Sequence, residues 1–483
     1  MQKKLLSGLF WVLLLNIVVK PFWILGIEAG VQSAVGTEMY GFYFSIFNLA
    51  YIFNILLDLG VTNFNTRNIA QHPGLINKHL PGILSIKFLL LGLYLVITFS
   101  TGLLMGYSSK QFLLLAFLSF NQFLNSLILY LRSNFEGLLM FKWDSVISIM
   151  DRVLMILICG FLLWGTDIPF KIEYFVWAQT AAYLITAIIA FIAIARKAHF
   201  RGLRWNKPFS MVILKKSAPF ALLVLLMASY NRIDPVLLKQ LLPNGDFQAG
   251  IYAGAFRLLE ALTMIAYLFS VPLLPIYSRL LTKKQEVDSS QISEITQLMF
   301  SLVWIFSLTA AITFWTLSEP LMDLIYNENL PISQYADVFR ILIFGIIPIS
   351  TTYVFGTLLT ANGSLKQLNI LAATTLIINV AVNLICIPRL GAVGSAWASL
   401  AAQSFMAITQ LILSLRIFHI RPSLRYVCRL IFQALFIVAF NLLCLYWNTN
   451  IWITMAFVGI GTLAASFALK LINIKKLINY IQE

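Results

Sequence analysis

The sequence predicts an all-α integral membrane protein of about fourteen transmembrane helices, on three observations. Of its 483 residues 60% are hydrophobic and only 11% charged, whereas soluble domains carry roughly 25% charged residues; the mean hydropathy is +0.86. Apolar runs of ~20 residues recur along the chain, the length a helix needs to cross a ~30 Å hydrocarbon core with every backbone N–H and C=O satisfied internally. Transmembrane barrel strands would instead alternate apolar and polar over about ten residues, and stretches such as Leu435 to Leu445 do not alternate.

The apolar runs place candidate spans at 5–27, 39–60, 81–105, 111–131, 146–164, 173–195, 217–241, 248–277, 296–318, 337–361, 366–388, 392–415, 425–446 and 450–472. The first begins after Lys3 and Lys4 and precedes Ser33-Ala34-Val35-Gly36, the outline of a secretory signal. Its apolar run is too long for a signal core, so it reads as a span. The polar run Thr62-Asn63-Phe64-Asn65-Thr66-Arg67-Asn68 reads as the second helix continuing past the membrane.

Lys and Arg collect at the N-terminus and in the stretches Arg67 to Lys78, Arg132 to Lys142, Arg196 to Lys216, Arg279 to Lys284, Arg416 to Arg429 and Lys470 to Lys476. These alternate with loops holding Glu28, Glu38, Asp167, Glu173, Asp246, Glu319, Asp323 and Glu328. The positive-inside rule therefore puts both termini in the cytoplasm. It also accounts for the net charge of +15 without nucleic acid as a partner. The four cysteines, Cys159, Cys386, Cys428 and Cys444, lie in or beside apolar runs without C-x-x-C spacing and suggest neither disulfides nor metal. The four histidines, His72, His79, His199 and His419, are assigned to cytoplasmic loops. No metal or cofactor is expected.

The longest polar interruption divides the chain into a six-helix lobe (1–195), a basic cytoplasmic linker (196–216), a second six-helix lobe (217–415), and two additional helices with a cytoplasmic tail (416–483). A faint duplication supports two lobes. Tyr40-Gly41-Phe42-Tyr43 is echoed by Ala249-Gly250-Ile251-Tyr252, and Lys20-Pro21 by Arg232 with Pro235. The related helices run the same way, so the repeat is parallel, about an axis along the membrane normal.

Ionisable side chains within spans cost at least ~2.5–3.5 kcal/mol at mid-helix on insertion scales and so mark cavities or partners. At ~1.5 Å rise per residue, Lys20, Arg232 and Arg257 share a depth of roughly 10–14 Å below the outer surface. Three cations at one level would make a cavity suited to a phosphate or diphosphate. Snorkelling competes with that reading, and Asp234 and Glu260 are near enough in sequence to neutralise the arginines. Arg257 and Glu260 share a helix face, whereas Arg232 and Asp234 point differently. Asn16 with Lys20, and Asn379 with Asn383, are also four apart on one face; both pairs fit either a lumen-facing position or interhelical hydrogen bonds, and the asparagines fit the latter better. Asp58, Lys87, Asp151 and Arg152 fall near the cytoplasmic surface. Asp58 and Arg152 are candidates for a cytoplasmic gate, with snorkelling or interfacial pairing as the plainer account.

No G-x-x-x-x-G-K-[ST] loop is present, which removes direct driving by ATP. No loop is large enough for a catalytic domain, and no acid, base or metal cluster converges. An enzyme is not expected; a membrane glycosyltransferase or polymerase is the competing class.

Several motifs in order, Tyr40-Gly41 with Ile55-Leu56-Leu57-Asp58-Leu59-Gly60, Tyr230-Asn231-Arg232-Ile233-Asp234-Pro235, Gly250-Ile251-Tyr252 with Phe256-Arg257, and Asn383-Leu384 with Ile387-Pro388 and Gly391-Ala392-Val393-Gly394-Ser395-Ala396, carry a resemblance. The chain resembles the polysaccharide transporters, or Wzx-type O-antigen flippases, of the multidrug/oligosaccharidyl-lipid/polysaccharide exporter (MOP) superfamily. That resemblance implies a MATE-like pair of six-helix lobes, often with two extra helices. It implies translocation of an undecaprenyl-diphosphate-linked oligosaccharide across a bacterial inner membrane, with membrane lipids and the polysaccharide polymerase or glycosyltransferases of the pathway as partners. Arg232 and Arg257 match by position the cations thought to hold diphosphate or acidic sugars. Alternating access is the expected mechanism. Proton or sodium coupling would fall to Asp234 and Glu260. A MATE-like cation-coupled multidrug exporter is the runner-up, although a drug pocket for cations favours carboxylates over the membrane cations found here.

Overall fold

The computed structural model describes residues 19, 21–198, 200, 202–203, 207–270, 273–282, 289–327, 329–447 and 450–471. The described elements are helical: a π-helical turn Trp23–Glu28, then α1 (Ala29–Val35), α2 (Thr37–Ile52), α3 (Val61–Gln71), α4 (Ile76–Leu104), α5 (Ser109–Gly137), α6 (Phe141–Trp164), α7 (Ile172–Lys197), α8 (Lys207–Arg232), α9 (Asp234–Leu241) and α10 (Gly245–Ser270). There follow α11 (Leu273–Thr282), α12 (Ser289–Thr316), α13 (Ser318–Ile325), α14 (Ile332–Leu342), α15 (Ile346–Ala361), α16 (Leu365–Leu390), α17 (Ala392–Ile417), α18 (Leu424–Tyr446) and α19 (Ile451–Ala468). Among the described residues 12 helices are long and apolar enough to cross a membrane, or 13 with a bent pair taken as one span. Most of the expected first span, 5–27, lies outside the described residues.

The chain forms two compact units, Met1–Ala253 and Gly254–Glu483, with the division inside α10. In the first, α5 packs on α7, α3 and α2, and α6 packs on α7. Helices α8 and α9 lie on α2, which draws this part of the chain into the first unit. In the second, α17 lies against α16, α15 and α14, and α12 joins α15 to α18. Its core gathers Leu273, Tyr277, Ile292, Val303, Val354 and Leu358. The last two spans are tied in by polar contacts: the Tyr426 hydroxyl lies 2.9 Å from Ser301 Oγ, and Gln433 Nε2 donates to Ser466 Oγ at 3.0 Å. Such bonds matter in a bilayer, where lipid supplies no competing partner.

Several boundaries differ from the sequence expectation. The second span does not run on into the polar segment. It tightens into a 3-10 turn, Phe53–Leu57, and breaks where Leu59 and Gly60 take positive φ of 44° and 79°. The polar residues then start a separate helix, α3. The seventh span bends by 51° between Arg232 and Asp234, where Pro235 removes a backbone donor and cannot continue a straight helix. Glu28 and His79 are not loop residues. Glu28 ends the π-helical turn and is buried, accepting from Trp23 Nε1 at 3.1 Å. His79 is buried in α4 and stacks on Phe64. Flanking glycines and bases suggest chain ends, while buried partners hold both residues inside helices.

One close approach depends on glycine. A Cβ on Gly41 would lie 1.9 Å from the Asp246 carbonyl oxygen, and one on Gly250 would lie 1.9 Å from that of Thr37. Helices α2 and α10 thus cross backbone to backbone, and Gln32 Nε2 adds a 2.9 Å bond to the Gly250 carbonyl. The two echoed tyrosine–glycine motifs are each other's packing partners.

Candidate functional site

Arg232 closes α8 immediately before the bend. Its guanidinium carbon lies over the ring of Tyr51, near the end of α2, 4.7 Å from the centroid, a cation–π contact. Tyr51 is half-buried and packs in turn against Phe47, with centroids 6.0 Å apart. Asp234 opens α9 two residues later, fully buried, and accepts a 2.8 Å bond from the Tyr252 hydroxyl of α10. The bend therefore turns Arg232 and Asp234 toward different helices.

Arg257 is buried on α10 and pairs with Glu260 one turn on, Nη1 to Oε2 2.8 Å. The i,i+3 relation read from the sequence is an ion pair in the structure. Lys20, the third expected cation, lies outside the described residues, as does Asn16. Asn383 Nδ2 donates to Asn379 Oδ1 at 3.1 Å within α16.

The two gate candidates go to separate places. Asp58, at the break after α2, pairs with Lys87 of α4 at 2.6 Å and also accepts from the Thr62 hydroxyl. The Lys87 ammonium is buried and reaches the Leu57 carbonyl at 3.0 Å and Ser126 Oγ at 2.8 Å, with the Tyr130 ring beside it. It neutralises the carboxylate and satisfies a carbonyl that the helix break leaves open. Arg152 is instead near the middle of the Lys142–Trp164 span. Its Nη1 donates to the Tyr183 hydroxyl at 3.1 Å, and its guanidinium lies 5.6 Å from the Trp23 ring centroid. Asp151 is 3.7 Å away. Helix α6 starts at Phe141, before the expected start at 146, which places Arg152 near the middle of the helix.

Sequence reasoning missed Tyr51, which partner Lys87 takes, and the Trp23–Glu28 contact. The half-buried positions Phe47, Tyr51, Asn54 and Asp58 follow a spacing of four, three and four, a helical stripe that the sequence did contain. Uniform hydrophobicity around α2 concealed it. Among the described residues no group of three or more His, Cys, Asp or Glu could hold a metal.

The fold is that of MOP superfamily transporters and flippases. A multidrug resistance MATE family transporter of that superfamily in an inward-facing conformation matches with a TM-score of 0.64 at 13% identity, covering 82% of this chain and 94% of that one. The lipid II flippase MurJ in an inward closed conformation matches with 0.66 at 15% identity, covering 96% and 100%. A MOP superfamily transporter from Pyrococcus furiosus, described by the reverse polarity of its binding pocket, matches with 0.56 at 14% identity, covering 85% and 93%. Identities this low speak for the fold alone. A comparison with curated proteins finds no match. The chain belongs to the polysaccharide biosynthesis protein family, whose model matches residues 5–281; the MatE model matches residues 219–385.

Proposed function

We propose that the protein is a flippase, not an enzyme, that moves an undecaprenyl-diphosphate-linked oligosaccharide, an O-antigen or other surface polysaccharide repeat unit, across the bacterial inner membrane by alternating access. The observation that carries this reading is Arg232, an arginine at the broken point of a transmembrane span in a chain of the polysaccharide biosynthesis family. A guanidinium recognises phosphate through paired, charge-assisted N–H donors. In this reading Lys20, Arg232 and Arg257 meet the diphosphate. Residues 1–195 and 217–415 form the moving halves, 196–216 the linker and 416–483 the appended pair, with both termini cytoplasmic.

Coupling to a proton or sodium ion is assigned to Asp234 and Glu260. Between Val338 and Gln482 the chain contains no Asp or Glu, so acidic side chains for coupling are confined to the earlier part that holds these two. Glu260 is bonded to Arg257, and neutralising the carboxylate by ion binding would free the guanidinium for an anion.

The test is transfer of a lipid-linked diphosphate oligosaccharide across proteoliposome membranes at equal folded protein. Arg232→Ala and Arg257→Ala are expected to lower transfer by about 10- to 150-fold, the loss of a charged hydrogen bond worth ~1.5–3 kcal/mol. Export of organic cations with no lipid transfer by the wild type would replace this reading with a multidrug exporter.

A further inference from the structure

We propose that Tyr51 is a positioning residue for substrate binding, one that holds the Arg232 guanidinium by its face and so presents its N–H edge to the diphosphate. The inference rests on the reading that Arg232 meets the substrate, and it goes beyond that reading by naming what sets the arginine's geometry.

Three observations carry it. The contact joins two segments far apart in sequence, with the cation 4.7 Å from the ring centroid. A guanidinium that lies flat on an aromatic face is attracted by its quadrupole and keeps all five N–H donors, which lie in the plane of the group. The ring is itself held by Phe47 one turn earlier, so the surface under the cation is preorganised.

The mode of engagement is the third observation. Tyr94 and Tyr252 each engage a partner through the hydroxyl: Tyr94 donates to the Ala50 carbonyl, and Tyr252 donates to Asp234. Tyr51 is engaged through its ring, by Phe47 and by Arg232. Taking away the phenol oxygen should therefore spare the contact, while taking away the ring should abolish it.

The experiment is binding of undecaprenyl diphosphate to the detergent-solubilised full chain, read as Kd for wild type, Tyr51→Phe, Tyr51→Leu, Arg232→Ala and the Tyr51→Leu/Arg232→Ala double variant. Tyr51→Phe keeps the ring and should bind within about threefold of wild type, because the quadrupole interaction does not need the hydroxyl. Tyr51→Leu should weaken binding by about 5- to 30-fold. In the Arg232→Ala background the same change should have no further effect, since a residue acting through another is non-additive with it. Equal losses in both backgrounds, or none from Tyr51→Leu while Arg232→Ala is impaired, overturn the positioning role alone. Unchanged binding by Arg232→Ala overturns both this inference and the cationic reading beneath it. If Tyr51→Leu fails to fold, progressively fluorinated phenylalanine at position 51 keeps the shape while weakening the quadrupole. Affinity should then fall stepwise with fluorine number, and a flat series refutes the inference.

Discussion

At the crossing of α2 and α10 the sign of a glycine-to-alanine change depends on whether the two backbones touch. In an open helix position alanine is favoured over glycine by ~0.8–1.0 kcal/mol. At Gly250 the added Cβ would stand 1.9 Å from the Thr37 carbonyl oxygen, where ordinary contact begins at 3.4 Å, so the helices must part by about 1.5 Å. The obstacle is main chain on both sides and cannot swing away as a side chain would. Overpacking of this kind costs ~1–3 kcal/mol, and the immovable partner puts it near the top of that range. Set against the propensity gain, Gly41→Ala and Gly250→Ala should each be destabilised by about 2 kcal/mol. Gly92, in α4, has open space for at least 4 Å around the place an alanine methyl would take; it is the control, and Gly92→Ala should be slightly stabilised. Thermal unfolding in detergent, followed by fluorescence-detected size-exclusion chromatography, compares the three. If Gly41→Ala or Gly250→Ala raised the midpoint as Gly92→Ala does, the backbone-to-backbone crossing would be refuted.

Buried polar pairs give two further expectations. Lys87→Met removes the ammonium from Asp58, Leu57 and Ser126 and should cost about 3 kcal/mol in unfolding free energy, the low end for breaking a buried pair because Asp58 keeps some exposure; adding Asp58→Leu should restore part of it, and an unaltered unfolding midpoint in Lys87→Met would dismiss the pair as a stabilising element. Tyr252→Phe removes the 2.8 Å bond to Asp234 and should lower stability by ~1.5–3 kcal/mol if that carboxyl is charged, with Asp234→Asn in the same background reducing the loss; equal thermal stability of Tyr252→Phe and wild type would count against the bond.

Much of the architecture is legible in the residues. The spans expected at 173–195, 366–388 and 392–415 fall close to the observed helices, Ile172–Lys197, Leu365–Leu390 and Ala392–Ile417, because their apolar runs are bounded by Lys, Arg or Gly. Boundaries differ where a span begins with residues that read as polar but are buried against neighbours. Helix α6 starts at Phe141 because Asp144 is bonded to Arg132 of α5 at 2.7 Å, a partner that hydropathy cannot see. Glu28 reads as a loop residue for the same reason.

The candidate site divides along a similar line. Arg257 with Glu260 is readable, since i,i+3 positions meet on any helix. Tyr51 with Arg232 is not, because nothing local to either motif shows that the faces of α2 and α8 meet. By itself the sequence determined that the chain enters a bilayer as helices, which way its basic loops are expected to face, and which few charges must be accommodated within it. Those outcomes are set segment by segment, by the transfer free energy of ~20 residues and their flanking charges. Only the tertiary structure decided that two distant glycines touch, that Lys87 answers Asp58, and that an aromatic face lies under Arg232. Such contacts depend on how separate helices rotate and pack against one another, and that is a property of the assembled core, not of any one span.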